Sequence, residues 1–164
     1  MTAAPASTRT GTERLVERFV AAVWNGEDPD AVETLAAPDL VVHALGADVD
    51  RTREEFAAFH AGLLAAVPDL HHVVERLIAE DDEVVAYVRI SGTPERQYGA
   101  LTPTGESFET VGFQRYRVED GRVAELWVLP NAMGMLRQLG TLPDSPGAVL
   151  RLLVRALKGR LLGR

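Results

Sequence analysis

The chain contains no cysteine. That excludes a disulfide framework, a thiolate nucleophile and any zinc site built on sulfur. Histidine is scarce as well. His43, His60, His71 and His72 are the four, and none is spaced as in the His-Glu-x-x-His helix of a hydrolytic zinc site, so nothing in the pattern supports a metal. No apolar run approaches the roughly 20 residues that cross a bilayer. Residues 1–11 are small and polar and lack the apolar stretch of a secretory signal. They read as a flexible N-terminus, and the protein reads as cytoplasmic.

What is present suffices for one domain. A chain of 164 residues is long enough to bury about 70% of its unfolded surface without a covalent or metal staple. Charge is distributed unevenly along it. Residues 141–164 carry Arg151, Arg155, Lys158, Arg160 and Arg164 against Asp144, a net of +4, which leaves −11 on the first 140 residues of a chain whose net charge is −7. An acidic body argues against nucleic acid, whose phosphates require a broad basic surface. In the tail, Ser145-Pro146 reads as a cap and first turn. Leu150, Leu153, Val154, Leu157 and Leu161 then form one stripe beside the basic residues, which predicts an amphipathic helix. Two roles are open to it: peripheral contact with an anionic membrane surface, or packing on the acidic body or a partner subunit.

Along the rest of the chain the elements follow in a readable order. Thr10-Gly-Thr-Glu13 resembles a capping box, after which Leu15, Phe19, Ala22 and Val23 repeat at helical spacing until Asn25-Gly26. Pro29 opens a short helix through Leu35. Residues 39–45 read as a strand, and Thr52-Arg-Glu-Glu55 is a second capping box, opening a helix that ends before Pro68. Four strands are expected at about 70–79, 83–91, 106–118 and 122–130, joined where Asp81-Asp82 and Asp120-Gly121 supply turn chemistry. Asn131 then caps a helix closed by Gly140. Helices first and antiparallel strands afterwards predict an α+β domain, with strong twist curling the sheet into a cone around a pocket.

The last strand carries the sharpest functional reading. In Arg122-Val-Ala-Glu-Leu-Trp-Val-Leu-Pro130, regular alternation puts Val123, Glu125, Trp127 and Leu129 on one face. If that face points inward, Glu125 is desolvated and its pKa rises toward the range a general acid or base needs. The plainer alternative is a solvated glutamate paired with Arg122 or Arg115 across the hairpin. His43 shares a face with Val41 and Leu45, where a hydrogen-bonded core histidine and a catalytic one are both open readings. His71 and His72 point to opposite faces of a regular strand, and His72, alternating with Leu70 and Val74, is the one expected inside.

Several short motifs together resemble the SnoaL-like polyketide cyclases, within the wider nuclear-transport-factor-2-like and ketosteroid-isomerase-like fold. They are Phe19 and Trp24-Asn25-Gly26, Pro68-Asp69-Leu70, Gly92-Thr93, Pro103-Thr104-Gly105, Asp120-Gly121-Arg122-Val123-Ala124-Glu125-Leu126-Trp127 and Gln138-Leu139-Gly140. The resemblance covers residues 15–140, so the domain is placed at 12–140. It implies a cone-shaped α+β barrel and an enzyme without metal or organic cofactor. Such an enzyme closes a ring of a small polycarbonyl or polycyclic substrate by intramolecular aldol condensation, with a carboxylate moving the proton. The family's acid falls at or near Glu125, with His43 and His72 as further candidate catalytic groups. Phe19, Trp24, Tyr87, Tyr98, Phe108, Phe113, Trp127 and Asn131 are candidate contacts to a small hydrophobic or aromatic substrate. Where many members carry His, Glu and Asp, this chain has Pro94, Gln97 and Asn131. A non-catalytic binding module of the same fold therefore stays open. So does an epoxide-opening enzyme, for which Asp69 is the obvious second carboxylate. A homodimer is the expected assembly.

Overall fold

The computed structural model describes residues 10–44 and 49–142. The expected C-terminal amphipathic helix lies outside the described residues, and so does nearly all of the expected N-terminal segment. No helix among the described residues is long and apolar enough to cross a membrane.

The first helix, α1 (Gly11–Phe19), begins where its capping box requires: Thr10 Oγ1 accepts from the Glu13 N–H at 3.2 Å and Glu13 Oε2 accepts from the Thr10 N–H at 2.7 Å. The α-helix does not run on to Asn25 as expected. Its last turn, Val20–Trp24, widens into a π-helix, with the Asn25 N–H donating to the Val20 carbonyl at 3.1 Å. The extra residue in that turn lets Val20, Val23 and Trp24 all be buried. Then come α2 (Ala31–Leu35), β1 (Ala36–Ala44), β2 (Val49–Thr52) and α3 (Arg53–Ala66), the last opened by the second capping box between Thr52 and Glu55. The strands β3 (His71–Glu80), β4 (Glu83–Gly92), β5 (Phe108–Glu119) and β6 (Arg122–Pro130) lie within two residues of expectation at each end, and α4 (Ala132–Gln138) closes the domain.

All six strands form one sheet in the order β2-β1-β6-β5-β4-β3. Every neighbouring pair is antiparallel except β1 and β6, which run parallel. The hairpins turn on Asp81 (φ 52°) and on Asp120-Gly121 (φ 49° and 74°), left-handed positions that Asp and Gly tolerate. Two features escaped the sequence pattern. The short strand β2 was not expected, and β1 begins three residues early, running across Pro38. The register between β1 and β6 slips between Ala36 and Val41, and a bulge there accommodates a proline that has no N–H to give the ladder.

One face of the sheet packs against the helices. Val84, Ala86, Val88 and Ile90 of β4, with Phe108, Tyr116 and Val118 of β5, alternate inward and meet Val16, Phe19, Val20 and Trp24. Burying such side chains at about 25 cal/mol per Å² of apolar surface is the main stabilising contribution.

In β6 the expected face is wrong, and the reason is a bulge. Val118 pairs with Val123 and Arg117 with Glu125, leaving Ala124 as the extra residue opposite their junction. The strand therefore changes face within three residues. Val123 and Leu126 are both 0% exposed, while the side chain of Glu125 is 31% exposed on the opposite side. Val123 faces the core; Glu125, Trp127 and Leu129 do not.

Candidate functional site

Between the helix-covered face of the sheet and α3 lies a cavity of about 290 Å³. Its wall is mostly apolar: Phe59 and Leu63 from α3, Leu70 ahead of β3, Ile90, Phe108, Val128, Pro130 and Met135 from α4. The loop between β4 and β5 contributes Tyr98 and Leu101, which bond each other backbone to backbone at 3.0 and 2.9 Å. Tyr98 Oη donates to the Phe59 carbonyl at 2.7 Å, fastening that loop to α3. The close approach depends on Gly62, where a Cβ would sit 2.7 Å from the Tyr98 ring.

Few polar groups interrupt this wall. His72 is buried, its ring tilted against the Trp24 indole with centroids 5.1 Å apart, and its Nδ1 has no hydrogen-bond partner. Desolvation pushes its pKa down to about 3, helped by the nearby His60 and His71, so the imidazole is neutral at ordinary pH. Its backbone is held from both sides by one side chain: Asn25 Oδ1 accepts from the His72 N–H at 2.7 Å and Asn25 Nδ2 donates to the His72 carbonyl at 3.1 Å. Asn25, legible in the sequence as a helix stop, thus also positions His72. Behind Trp24, His60 is buried between the indole and Phe56, and burial lowers its pKa as well.

Gln114 also lines the cavity. It is 1% exposed and its Nε2 has no partner, whereas its Oε1 accepts from Tyr116 Oη at 2.5 Å, and Tyr116 Oη accepts from Trp24 Nε1 at 3.1 Å. Thr110, a third lining residue, donates through Oγ1 to the Asn131 carbonyl at 3.2 Å. Sequence reading passed over both Gln114 and Thr110. The available signal was their even spacing with Phe108 and Tyr116 on a strand whose odd positions, such as Glu109, Arg115 and Glu119, are charged.

Of the residues singled out in the sequence, the cavity gathers His72, Trp24, Tyr98 and Phe108. The others lie elsewhere. Phe19 is fully buried in the core, edge-on to Tyr116 with centroids 5.6 Å apart. Asn131 caps α4, its Oδ1 accepting from the Gly134 N–H at 3.0 Å. Tyr87 and Phe113 pack together on the outer face of the sheet, 5.2 Å apart, with Phe113 52% exposed.

On that same outer face, His43 stacks on Trp127 at 4.8 Å, and the Arg115 guanidinium lies 4.3 Å from the Trp127 ring centre. Glu125 accepts from Arg117 Nη2 at 3.1 Å and lies 3.8 Å from His43 Nε2, whose Nδ1 meets Asp50 at 2.9 Å. The expectation of an inward, desolvated Glu125 is thus replaced by a half-exposed glutamate among cations. Its arginine partner is Arg117, not Arg115 or Arg122, because the bulge sets Arg117 opposite it.

Among the described residues no group of His, Asp and Glu is arranged to hold a metal ion. Comparison with known proteins fits this architecture. A sequence model of the SnoaL-like polyketide cyclases matches residues 14–139. The chain belongs to this family. No curated protein matches it in sequence. Among solved structures it is similar to IdmH of Streptomyces antibioticus, proposed to be a polyketide cyclase, with 28% identity over 79% of this chain and 98% of that one, at a TM-score of 0.70. It is also similar to AclR of Streptomyces galilaeus, proposed to be a hydroxylase, with 30% identity over 86% and 92% of the two chains and a TM-score of 0.71. A protein with a ketosteroid-isomerase-like fold from Catenulispora acidiphila, 23% identical over 79% of this chain and 93% of that one at a TM-score of 0.65, shares the fold.

Within the SnoaL-like frame the three departures have distinct fates. Pro94 is buried, Gln97 is exposed and donates to the Gly99 carbonyl at 2.8 Å, and Asn131 serves α4. None of them lines the cavity.

Proposed function

We propose that this SnoaL-like chain is a cyclase or isomerase that folds a small apolar polycarbonyl or polycyclic substrate in the cavity and closes a ring by an aldol-type step, with His72 as its acid-base group. The observation that carries the reading is the position of His72: a buried imidazole with an unpartnered nitrogen, set in an apolar wall that contains no carboxylate. A proton on a carbon between two carbonyls is acidic enough for a single positioned base. Burial holds the imidazole neutral, and that is the form able to accept the proton. Transfer creates an imidazolium beside an enolate, and in a water-poor pocket their attraction offsets the desolvation that disfavoured the cation. The enolate carbon then bonds to the second carbonyl carbon, and the proton on His72 passes to the alkoxide so formed. Confinement of a flexible chain in a shaped apolar cavity supplies the proximity that ring closure requires.

The absence of a carboxylate from the wall also favours a second reading, a non-catalytic binding module. An epoxide-opening enzyme has less support. Asp69, the carboxylate it would recruit, is occupied by Thr93, whose N–H donates to Oδ1 at 2.6 Å and whose hydroxyl donates to Oδ2 at 2.8 Å.

The deciding measurement is deuterium uptake at the activated carbon of a cyclic β-keto ester in heavy water. His72→Asn is expected to reduce enzyme-dependent uptake by about a hundredfold or more, the usual worth of a general base, while Glu125→Gln leaves it within about threefold because an outer-face ion pair contributes little. The opposite ranking would overturn the assignment. Binding of the ester without uptake by wild type would establish the binding module instead. For the assembly, the exposed apolar residues Ile78, Phe113 and Leu129 on the outer face support a second copy of this chain as their cover.

A further inference from the structure

Gln114 is a buried amide whose two ends are in different situations: one is saturated and the other has nothing to bond. A chain of donors fixes which end is which. The Trp24 indole can only donate, so Tyr116 Oη must be its acceptor at 3.1 Å. The phenol, fully buried and kept protonated by that burial, then has one hydrogen left to give, and the group 2.5 Å away must accept it. That group is therefore the Gln114 carbonyl oxygen. With the amide reversed, the phenol would face two donors and its own hydrogen would have no acceptor. The relay thus leaves the NH₂ of Gln114 as the buried donor without a partner, in a cavity-lining residue paired across the sheet with Val128, another wall residue.

We infer that Gln114 is the residue that selects the cavity's ligand for an oxygen that only accepts hydrogen bonds, a ketone or enolate oxygen, and that Tyr116 is a positioning residue acting through it. A buried donor without a partner is costly, and a ligand oxygen that satisfies it recovers that cost, whereas a ligand without such an oxygen does not. In the proposed ring closure the same donor would meet the oxygen on which enolate charge develops. The inference rests on the cavity being the substrate site but not on the proton chemistry of His72.

The test uses two probes of one shape, 2-acetylnaphthalene and 2-isopropenylnaphthalene, which differ in C=O against C=CH₂. Their dissociation constants are measured by calorimetric titration on the full chain. Wild type is expected to bind the ketone at least about tenfold more tightly than the alkene. Gln114→Leu should bring the two to within about twofold, since the amide donor that favours the ketone is gone. Tyr116→Phe keeps the ring packed on Phe19 but frees the amide to turn, so the preference should drop to an intermediate value although Gln114 is present. A ketone preference that survives Gln114→Leu, or a wild type that does not distinguish the probes, would overturn the inference while leaving the cavity intact as a binding site. Failure of wild type to bind either probe would remove the cavity reading itself, and this inference with it.

Discussion

The two faces of the sheet are built from the same strands and differ in almost every physical respect. On the inner face, β5 presents Phe108, Thr110, Gln114 and Tyr116, and the polar groups among them are neutral, buried and directed by hydrogen bonds. On the outer face Glu109 pairs with Arg89, Arg115 with Glu83, and Arg117 with both Glu119 and Glu125. Charge is held where solvent screens it, and the cavity is left to uncharged donors and acceptors. A site of this kind recognises shape and hydrogen-bond polarity rather than net charge. Its one strongly perturbed titrating group, His72, owes that to desolvation, whereas Glu125 keeps the company of cations on the wet side.

The contrast can be broken most violently at neighbouring positions of β6. Leu126→Glu places a charge in the fully buried face and should cost more than about 4 kcal/mol or prevent folding. Glu125→Leu, one residue away, should stay within about 1 kcal/mol of wild type in urea unfolding. Equal costs would mean that the faces are misassigned.

Deletions probe the bulge itself. Removing Ala124 converts the two-against-one pairing into a continuous ladder without moving Glu125 across the sheet, so a folded protein is expected with a loss of about 1–2 kcal/mol. Removing Leu126 reverses the face of Glu125 and everything before it, and should leave no cooperative thermal transition.

A smaller effect sharpens the electrostatic side. Imidazoles of the unfolded chain bind protons below about pH 6.5, whereas His72 resists protonation down to about pH 3. The unfolded state therefore binds more protons in that window. Stability should fall as the pH drops through it, by at most about 1.4 kcal/mol per pH unit for each such histidine, and this contribution should be absent above pH 6.5. His72→Gln should flatten the slope measured between pH 4 and 6, and an unchanged slope would show that the ring is not desolvated.

The smallest expected change in protomer stability is on the outer apolar patch. Phe113→Ser and Leu129→Ser, both at exposed positions, should alter the stability of the protomer by less than about 0.5 kcal/mol. If a second copy covers that face, the same changes should shift sedimentation toward the monomer at micromolar concentration. A wild type that sediments as a monomer throughout would remove the proposed dimer.

Much of this architecture was legible because it is written locally. The capping boxes at Thr10 and Thr52, the turn residues Asp81 and Asp120-Gly121, and the period-two alternation of β4 and β5 each act over a few residues, and each reappears in the structure. The inward position of His72 against the exposed His71 follows from the same alternation. The family motifs are local as well, which is why the fold could be named from them. What could not be read in this way depended on partners distant in the chain. A bulge is a mismatch between two strands, so Ala124 looks like any other strand residue until β5 lies beside it. Asn25 reaches His72 across 47 positions, and the Trp24–Tyr116 bond spans 92. The sequence by itself determined most of the elements, their order and the alternation of β4 and β5 that separates charge from core, since these depend on backbone propensity and burial along a few residues. Only the tertiary structure decided which face of β6 Glu125 occupies and which end of Gln114 is left without a partner, because register and the hydrogen-bond relay from Trp24 are settled between elements distant in the chain.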